Sequence, residues 1–397
     1  MISVEEALQL VLKNTDQLKS TRLNISEAHQ SVLAEDIKSP IDSPPFSQSS
    51  MDGYAIRFDD VKPNTVFTVQ GENMAGRDTG LKLNKGCAIR IFTGAMLPDS
   101  ADTIVIQENV QRKDDTITII DPALIKKNAF VRFKGQQIRK NKLALAKGHV
   151  LNAGSIGYLT ALGISKVKTF ATPRISILTT GDELQVPGKN LRPAQIYESN
   201  SYTLHALLKE MHLDVHTILK INDDPEKLLV SFKKAIRQND VIIITGGVSV
   251  GDYDFVAHTL ERLQVKKIFH SIAQKPGKPM YFGTFKDKLI FALPGNPASV
   301  MVCFYEYIYP ALRKMIGHQN FPLPSDEKIC FNDYSKKPGL THFLKGIASR
   351  DQVEILEGQE SFLLSSFAMA NCLVVIPSTS TGVKAGDKVT VHFINHL

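Results

Sequence analysis

Three glycines crowd into Thr245-Gly246-Gly247-Val248-Ser249-Val250-Gly251-Asp252-Tyr253-Asp254, directly after the apolar run 241–244 and ahead of a helical pattern. Glycines there let the main chain approach a ligand closely, and the helix that follows offers unpaired N–H groups to an anion. The spacing is neither G-x-G-x-x-G nor a P-loop, so neither a dinucleotide nor a nucleoside triphosphate follows from it. A tight strand-to-helix turn would use the same residues, but the end of a strand in an α/β sheet is where such folds bind ligands.

Six further segments carry chemistry of their own. Lys275-Pro276-Gly277-Lys278-Pro279 sets two ammonium groups on a proline-stiffened loop, suited to a phosphate or to plain solvation. Leu293-Pro294-Gly295-Asn296-Pro297 reads alone as ordinary helix initiation. Thr179-Thr180-Gly181-Asp182-Glu183 puts two carboxylates at a strand's end, able to ligate Mg²⁺, to orient water, or merely to face solvent. In Asp223-Asp224-Pro225, Asp224 is the expected helix cap and Asp223 is left over for a metal. In the N-terminal half, Ser49-Ser50-Met51-Asp52-Gly53-Tyr54-Ala55 and Ile91-Phe92-Thr93-Gly94-Ala95 each place a polar group beside a glycine, as a site or a hairpin would.

The elements that position these residues follow from periodicity. Ser3 with Glu6 reads as a capping box ahead of an apolar helical face at Val4, Ala7, Leu8, Val11 and Leu12. Segments 65–69, 87–92, 103–106 and 116–120 are short strands between Gly, Asp, Asn and Pro, and 154–162 is a short helix. From about 173, strands near 175–178, 215–219, 241–245, 267–273, 280–283 and 288–293 alternate with helices marked by Leu204, Leu207, Leu208 and Met211, by 225–236 and by 254–263. One long apolar helix is expected from Asn296-Pro297 to Gly317. Such alternation implies an α/β domain with a mainly parallel sheet. Past the linker signal Phe321-Pro322-Leu323-Pro324, short alternating runs indicate a small β-barrel or sandwich. The expected organisation is a multidomain α+β protein: 1–45 plus 140–172 as a mixed domain, 46–139 as a β-rich insertion, 173–320 as the α/β domain and 321–397 as the β domain.

Composition bounds the function. With 397 residues, 43% hydrophobic and 22% charged, the chain is an ordinary globular protein of several domains. A net charge of +7 suits anionic small molecules. No basic run with interleaved aromatics points to nucleic acid, and no apolar run reaches the length of a membrane span. The N-terminus lacks the basic and apolar regions of a signal peptide. Cys87, Cys303, Cys330 and Cys372 lie far apart, which argues against a zinc site or disulfide framework and for reduced thiols in the cytoplasm. His212 and His216, four apart in a strand-like stretch, read as surface or satisfied histidines rather than a metal pair.

The ordered set SSMDGYA, IFTGAMLP, TTGDEL, ITGGVSVGDYDF, KPGKP, LPGNP and SSFAMANC, running almost the full length of the chain, resembles the molybdopterin molybdenumtransferase family, the MoeA-like proteins that include the gephyrin E domain. The resemblance implies a homodimer of four-domain protomers, with an α/β domain like that of Mog/MoaB-type adenylyltransferases and a C-terminal β-barrel. It implies insertion of molybdenum from molybdate into adenylylated molybdopterin, with Mg²⁺ and release of AMP. On that likeness Gly246, Gly247, Ser249 and Gly251 would give main-chain donors to the substrate, and Lys275 and Lys278 positive charge. Asp254, Asp223 and Glu183 would hold Mg²⁺ or position water. Asp52 and Thr93 would face the other subunit's α/β domain, and Arg132 would help to neutralise molybdate. Pro294 and Pro297 would shape the loop rim, and Ser366 or its neighbour Ser365 would approach from the barrel. A Mog/MoaB-type enzyme is the implied supplier of substrate.

Two positions depart from the family pattern. Gln137 stands where the family usually has an acid, and Ser271 where it tends to have Lys or Arg. They favour one alternative to the transferase, a non-catalytic molybdopterin-binding or scaffold protein; the likeness of the α/β domain to Mog/MoaB-type enzymes leaves a second, a molybdopterin adenylyltransferase. Nothing in the sequence separates molybdate from tungstate.

Overall fold

The structure is a computed structural model that describes residues 1–248 and 255–394. Its first helix, Val4–Lys13, carries the expected capping box: Ser3 Oγ accepts from Glu6 N and Glu6 returns a carboxylate to Ser3 N. Ala7 and Val11 on its apolar face are fully buried in the core of the α/β domain. Lys314 Nζ caps the helix's far end by donating to Leu12 O at 2.8 Å.

A small layer follows, in which Ser20–Asn24 pairs antiparallel with Lys166–Phe170 and Ile37–Lys38 with Leu143–Leu145. Ala28, Leu33, Leu151, Leu159 and Val167 fill its core, and Asn152 caps the helix Ala153–Ala161. Between its two halves the chain makes an excursion into a six-stranded sheet ordered Thr103–Ile106, Gly53–Ile56, Cys87–Ile91, Val66–Asn73, Thr116–Ile119, Val110–Lys113. Gly53 sits in the interior of that sheet because a Cβ there would strike the Val105 carbonyl.

The second six-stranded sheet is ordered Val215–Ile221, Ile175–Thr180, Val241–Thr245, Lys288–Leu293, Tyr281–Phe285, Lys266–Phe269. The first four strands are parallel, and Tyr281–Phe285 runs against both of its neighbours. Alternate residues of the central strand enter different cores: Val241 and Ile243 join Phe291 and Leu204 on one face, while Ile242 and Ile244 join Phe232 and Val256 on the other. Burial on both faces explains the unbroken apolar run. Removing one such side chain, as in Ile243→Ala, costs about 2–5 kcal/mol.

The single long helix expected after Asn296 is interrupted. The chain forms α-helix at Pro297–Cys303, a π-helical turn at Phe304–Ile308 and α-helix again at Tyr309–Met315. Pro310 has no N–H to return to the Glu306 carbonyl, so the regular ladder breaks there. The wider turn is closed by Tyr309 N donating to Phe304 O.

The third sheet is a closed five-stranded barrel. Thr341–Ala348 pairs with Gln352–Ile355 at one side and Cys372–Ile376 at the other, and Ser325–Cys330 and Lys388–Phe393 complete the circuit. Gln274–Lys275, from the α/β domain, runs parallel to Thr341 and His342 and joins the two-lysine loop to the barrel.

Candidate functional site

Register fixes where the site lies. Thr180 aligns with Ile221, Thr179 with Thr245, and Thr245 with Leu293, so four parallel strands end at one edge of the sheet. The loops leaving that edge carry Gly181-Asp182-Glu183, Asn222-Asp223, Gly246-Gly247 and Pro294-Gly295. Gly246 and Gly247 have φ of 85° and 64°, in the left-handed region. A Cβ on Gly247 would lie 2.7 Å from Val256 Cγ2 and 2.9 Å from Thr180 Oγ1. Side chains are excluded here, which leaves main chain to face a ligand.

Two buried polar atoms border this turn. Thr180 Oγ1 and Asn200 Oδ1 have no hydrogen-bond partner among the described residues, although Thr180 is 2% and Asn200 9% exposed. Asn200 Nδ2 donates to Gly295 O at 2.8 Å, which ties it to the neighbouring loop. Unpaired buried acceptors are costly, and a ligand's donors would satisfy them. Sequence reasoning missed both as site residues: a helix-start Asn and a strand-end Thr look like ordinary caps until the sheet aligns them.

The acidic residues gather on the adjoining loops. Asp182 Oδ1 accepts from Asn222 Nδ2 at 2.7 Å and from Asp223 N at 3.4 Å. Burial raises the Asp223 carboxyl above its ordinary value, and the charges of Asp182 and Glu183 push the same way. Asp224 is spent as a helix cap, accepting from Glu226 N and Lys227 N at 3.0 Å each. Among the described residues no three His, Cys, Asp or Glu side chains form a metal-holding group. Ser249, Gly251 and Asp254 lie outside the described residues.

The two-lysine loop projects Lys275 and Lys278 to solvent while Gly277 between them is buried. Ile272 N donates to Lys278 O at 3.0 Å, closing the loop at its base. A cavity of about 150 Å³ lies where this loop meets the barrel, lined among others by Lys275, Tyr334, His342 and Gln359. Tyr334 OH and His342 Nδ1 are 2.9 Å apart. Burial, then the charges of Lys336 and Lys275, bring His342 down to about 4. The Pro294–Pro297 turn also meets the barrel side, through Asn296 Nδ2 donating to Ser361 Oγ at 3.0 Å and Ala298 N to Ser361 O at 3.1 Å. Ser366 is buried, and its hydroxyl donates to Gly358 O at 2.7 Å. Lys345, buried beside it, braces the same loop from Gly358 O at 2.6 Å.

In the N-terminal sheet the other two motifs do meet. Asp52 Oδ1 accepts from both N and Oγ1 of Thr93, each at 2.8 Å. Those two hydrogen bonds, main chain first, and the charge of Arg90 hold the Asp52 carboxyl below its ordinary range. Arg90 stacks over Tyr54 and Phe92, at 5.0 Å from each ring centre. Arg132 lies exposed on the short strand Val131–Arg132, which pairs with Gln48–Ser49. Among the described residues no hydrogen bond or ion pair joins the Asp52–Thr93 pair to the α/β strand ends.

Three family models match the chain in order: the MoeA N-terminal region (domain I and II) at 2–163, a probable molybdopterin binding domain at 176–314 and the MoeA C-terminal region (domain IV) at 329–394. A molybdopterin molybdenumtransferase of Haemophilus influenzae is 36% identical, covering 100% of both chains. One from Nostoc is 32% identical over 98% of this chain and 93% of its own. The crystal structure of a molybdopterin biosynthesis MoeA protein from Pyrococcus horikoshii superposes with a TM-score of 0.85 at 32% identity, covering 99% of each chain.

Proposed function

Because this chain belongs to the MoeA family of molybdopterin molybdenumtransferases, we propose that it inserts molybdenum from molybdate into adenylylated molybdopterin and releases AMP. The observation that carries this reading is the shared sheet edge. The left-handed Gly246-Gly247 turn, the buried Thr180 Oγ1 and Asn200 Oδ1, which have no partner among the described residues, and the loops carrying Asp182, Glu183 and Asp223 all leave or border that edge.

The substrate joins a pterin phosphate to AMP through a pyrophosphate and is strongly anionic. Gly246 and Gly247 bring main chain up to it, with Thr180 and Asn200 accepting hydrogen bonds from its neutral parts. Lys275 and Lys278 offset phosphate or molybdate charge, and Arg132 adds a further cation. Pro294 and Pro297 form the rim. Ser366 acts from behind, by holding the Gly358 carbonyl. Glu183 and Asp223 would hold a Mg²⁺ ion: burial, then the like charges of Asp182 and Glu183, raises the Asp223 carboxyl, and one or two protein carboxylates suffice for Mg²⁺ beside a phosphate substrate. Bound there, Mg²⁺ would supply charge neutralisation on the pyrophosphate. Water adds to one phosphorus of the pyrophosphate, that phosphorus loses its bond to the bridging oxygen so that AMP departs, and the water's proton passes to a carboxylate; molybdate exchanges one oxygen for the two dithiolene sulfurs, the oxygen leaving as water with both thiol protons and molybdenum keeping its oxidation state.

Asp52 is kept anionic by Thr93 and stays partly exposed, so in this reading it serves the α/β edge of a second subunit. The working unit is a homodimer. An adenylyltransferase of Mog/MoaB type makes the substrate. Four unpaired cysteines suit the cytoplasm.

Incubation with adenylylated molybdopterin, molybdate and Mg²⁺ tests the reading. AMP is expected, with Asp52→Asn lowering kcat about 10²-fold at unchanged substrate affinity. Mixing Asp52→Asn with Glu183→Gln subunits should restore about a quarter of wild-type activity, because half of the random dimers then hold one intact shared site. Substrate bound without AMP release would sink the enzymatic reading and favour the scaffold suggested by Gln137 and Ser271. Formation of adenylylated product from ATP would favour the adenylyltransferase instead.

A further inference from the structure

We propose that Gln274, Tyr307 and Cys303 form a buried latch that fixes the two-lysine loop in its anion-binding position, making them positioning residues for the transferase. The proposal rests on the function proposed above. Gln274 and Tyr307 are 0% exposed and Cys303 is 0% exposed, so none of the three touches solvent or substrate. The Gln274 amide is fully used. Its Oε1 accepts from Tyr307 OH, while Nε2 donates to Pro276 O at 3.0 Å and to Cys303 Sγ at 3.7 Å. Cys303 Sγ in turn donates to Gly277 O at 3.8 Å. The carbonyls of Pro276 and Gly277, the two residues between the lysines, are thereby both held from below.

The fit around Gly277 is closed. A Cβ there would come within 2.6 Å of Cys303 Sγ and 2.7 Å of Gln274 Nε2, so the latch and the loop backbone are in direct contact. Loop and latch therefore move together or not at all. Lys275 and Lys278 point out of this base into solvent, where an exposed lysine on a free loop would lose much of its electrostatic benefit to side-chain and backbone entropy.

Tyr307 reaches Gln274 from the π-helical turn Phe304–Ile308, all five residues of which are buried. Widened turns of this kind re-aim side chains and recur beside functional sites. The adjacent residue Glu306 pairs with His392 of the last barrel strand, Oε1 to Nδ1 at 2.9 Å. One turn thus braces the loop through Tyr307 and grips the barrel through Glu306. The barrel holds the same loop from its other side, where Lys275 pairs with His342.

AMP release is measured against substrate concentration at saturating molybdate and Mg²⁺, with the dissociation constant of adenylylated molybdopterin determined in parallel. Tyr307→Phe removes one hydroxyl, and Gln274→Met removes the amide at similar volume. Each should raise KM and Kd about fivefold, equivalent to about 1 kcal/mol, with kcat within about twofold. In a chain also carrying Lys275→Ala and Lys278→Ala, Tyr307→Phe should add no further loss. Ile117→Val, a core change in the N-terminal sheet, should lower stability without moving KM. The latch is overturned if both variants keep wild-type KM and Kd, or if their effects multiply with those of the lysine variants. A wild type that binds substrate but releases no AMP defeats the proposed reaction, while Kd still reads the latch.

Discussion

His342 is the most direct physical probe of the space between the two-lysine loop and the barrel. It is 7% exposed, beside Tyr334 OH and close to two lysines. Burial, then Lys336 and Lys275, lower it from 6.5 to about 4. At pH 5.5 an ordinary histidine is about 90% protonated, whereas one titrating near 4 is only about 3% protonated. The sign for stability follows: from pH 6.5 down to about 4, the unfolded chain takes up a proton that the folded chain refuses, so this residue's contribution is lost on acidification. The assay is an NMR titration of histidine ring signals in isotopically labelled protein, with His342→Gln identifying the resonance. Its midpoint should lie far below those of surface histidines. Lys275→Met should move it upward by removing one repelling charge, and adenylylated molybdopterin should do the same by placing an anion beside Lys275. A midpoint at 6 or above, or one indifferent to Lys275, would refute both the burial and the proximity on which the argument stands.

Two further perturbations follow from the same geometry. Gly247→Ala forces a side chain into the left-handed region against Val256 and Thr180. A cost of at least about 1–2 kcal/mol should appear as a loss of substrate affinity of about tenfold or more, measured by calorimetry, with the N-terminal sheet unaffected. The Glu306–His392 pair carries the opposite pH sign to His342. Burial alone would lower His392, but the hydrogen bond and charge of Glu306 together outweigh it, and the imidazole is raised. That stabilisation is full below pH 6.5 and fades as pH rises through the raised value. Glu306→Gln should therefore destabilise the protein more at pH 6 than at pH 9, by on the order of 1 kcal/mol in denaturant titrations; an equal loss at both would refute the charged pair.

Much of the α/β domain was legible because its signals are local. The run 241–245 reads as a doubly covered strand, Asp224-Pro225 as a helix start and Ser3 with Glu6 as a capping box, and each depends only on near neighbours. Gly53–Ile56 was harder: a glycine beside Asp52 suggests a turn, and only the Val105 carbonyl on the next strand shows why glycine belongs inside the sheet. The π-helical turn was invisible because residues 297–316 are apolar on nearly every side, so periodicity cannot report one extra residue per turn. Tyr334 and His342 meet on one wall of the barrel cavity, a product of strand order rather than of any motif. Asp52 and Thr93, 41 positions apart, are paired by resemblance, and the fold supplies the reason: antiparallel pairing places Gly53 opposite Ile91, so the turn entering one strand meets the turn leaving the other.

The departures at Gln137 and Ser271 ask little of the fold. Ser43 Oγ donates to Gln137 Oε1 at 3.0 Å, and Gln137 N donates to Ser43 O at 2.9 Å. A carboxylate at 137 would accept the same hydroxyl proton, so the backbone there does not require a neutral side chain. Ser271 engages its neighbour through main chain, its carbonyl accepting from Ile2 N at 3.2 Å, a contact indifferent to what the side chain carries. Restoring charge with Gln137→Asp and Ser271→Lys should therefore leave the melting temperature nearly unchanged. If fixed charge near the site contributes to transition-state stabilisation, the same double change should raise kcat for AMP release by about tenfold or more. An unaltered rate at unaltered stability would show that neither departure limits the reaction.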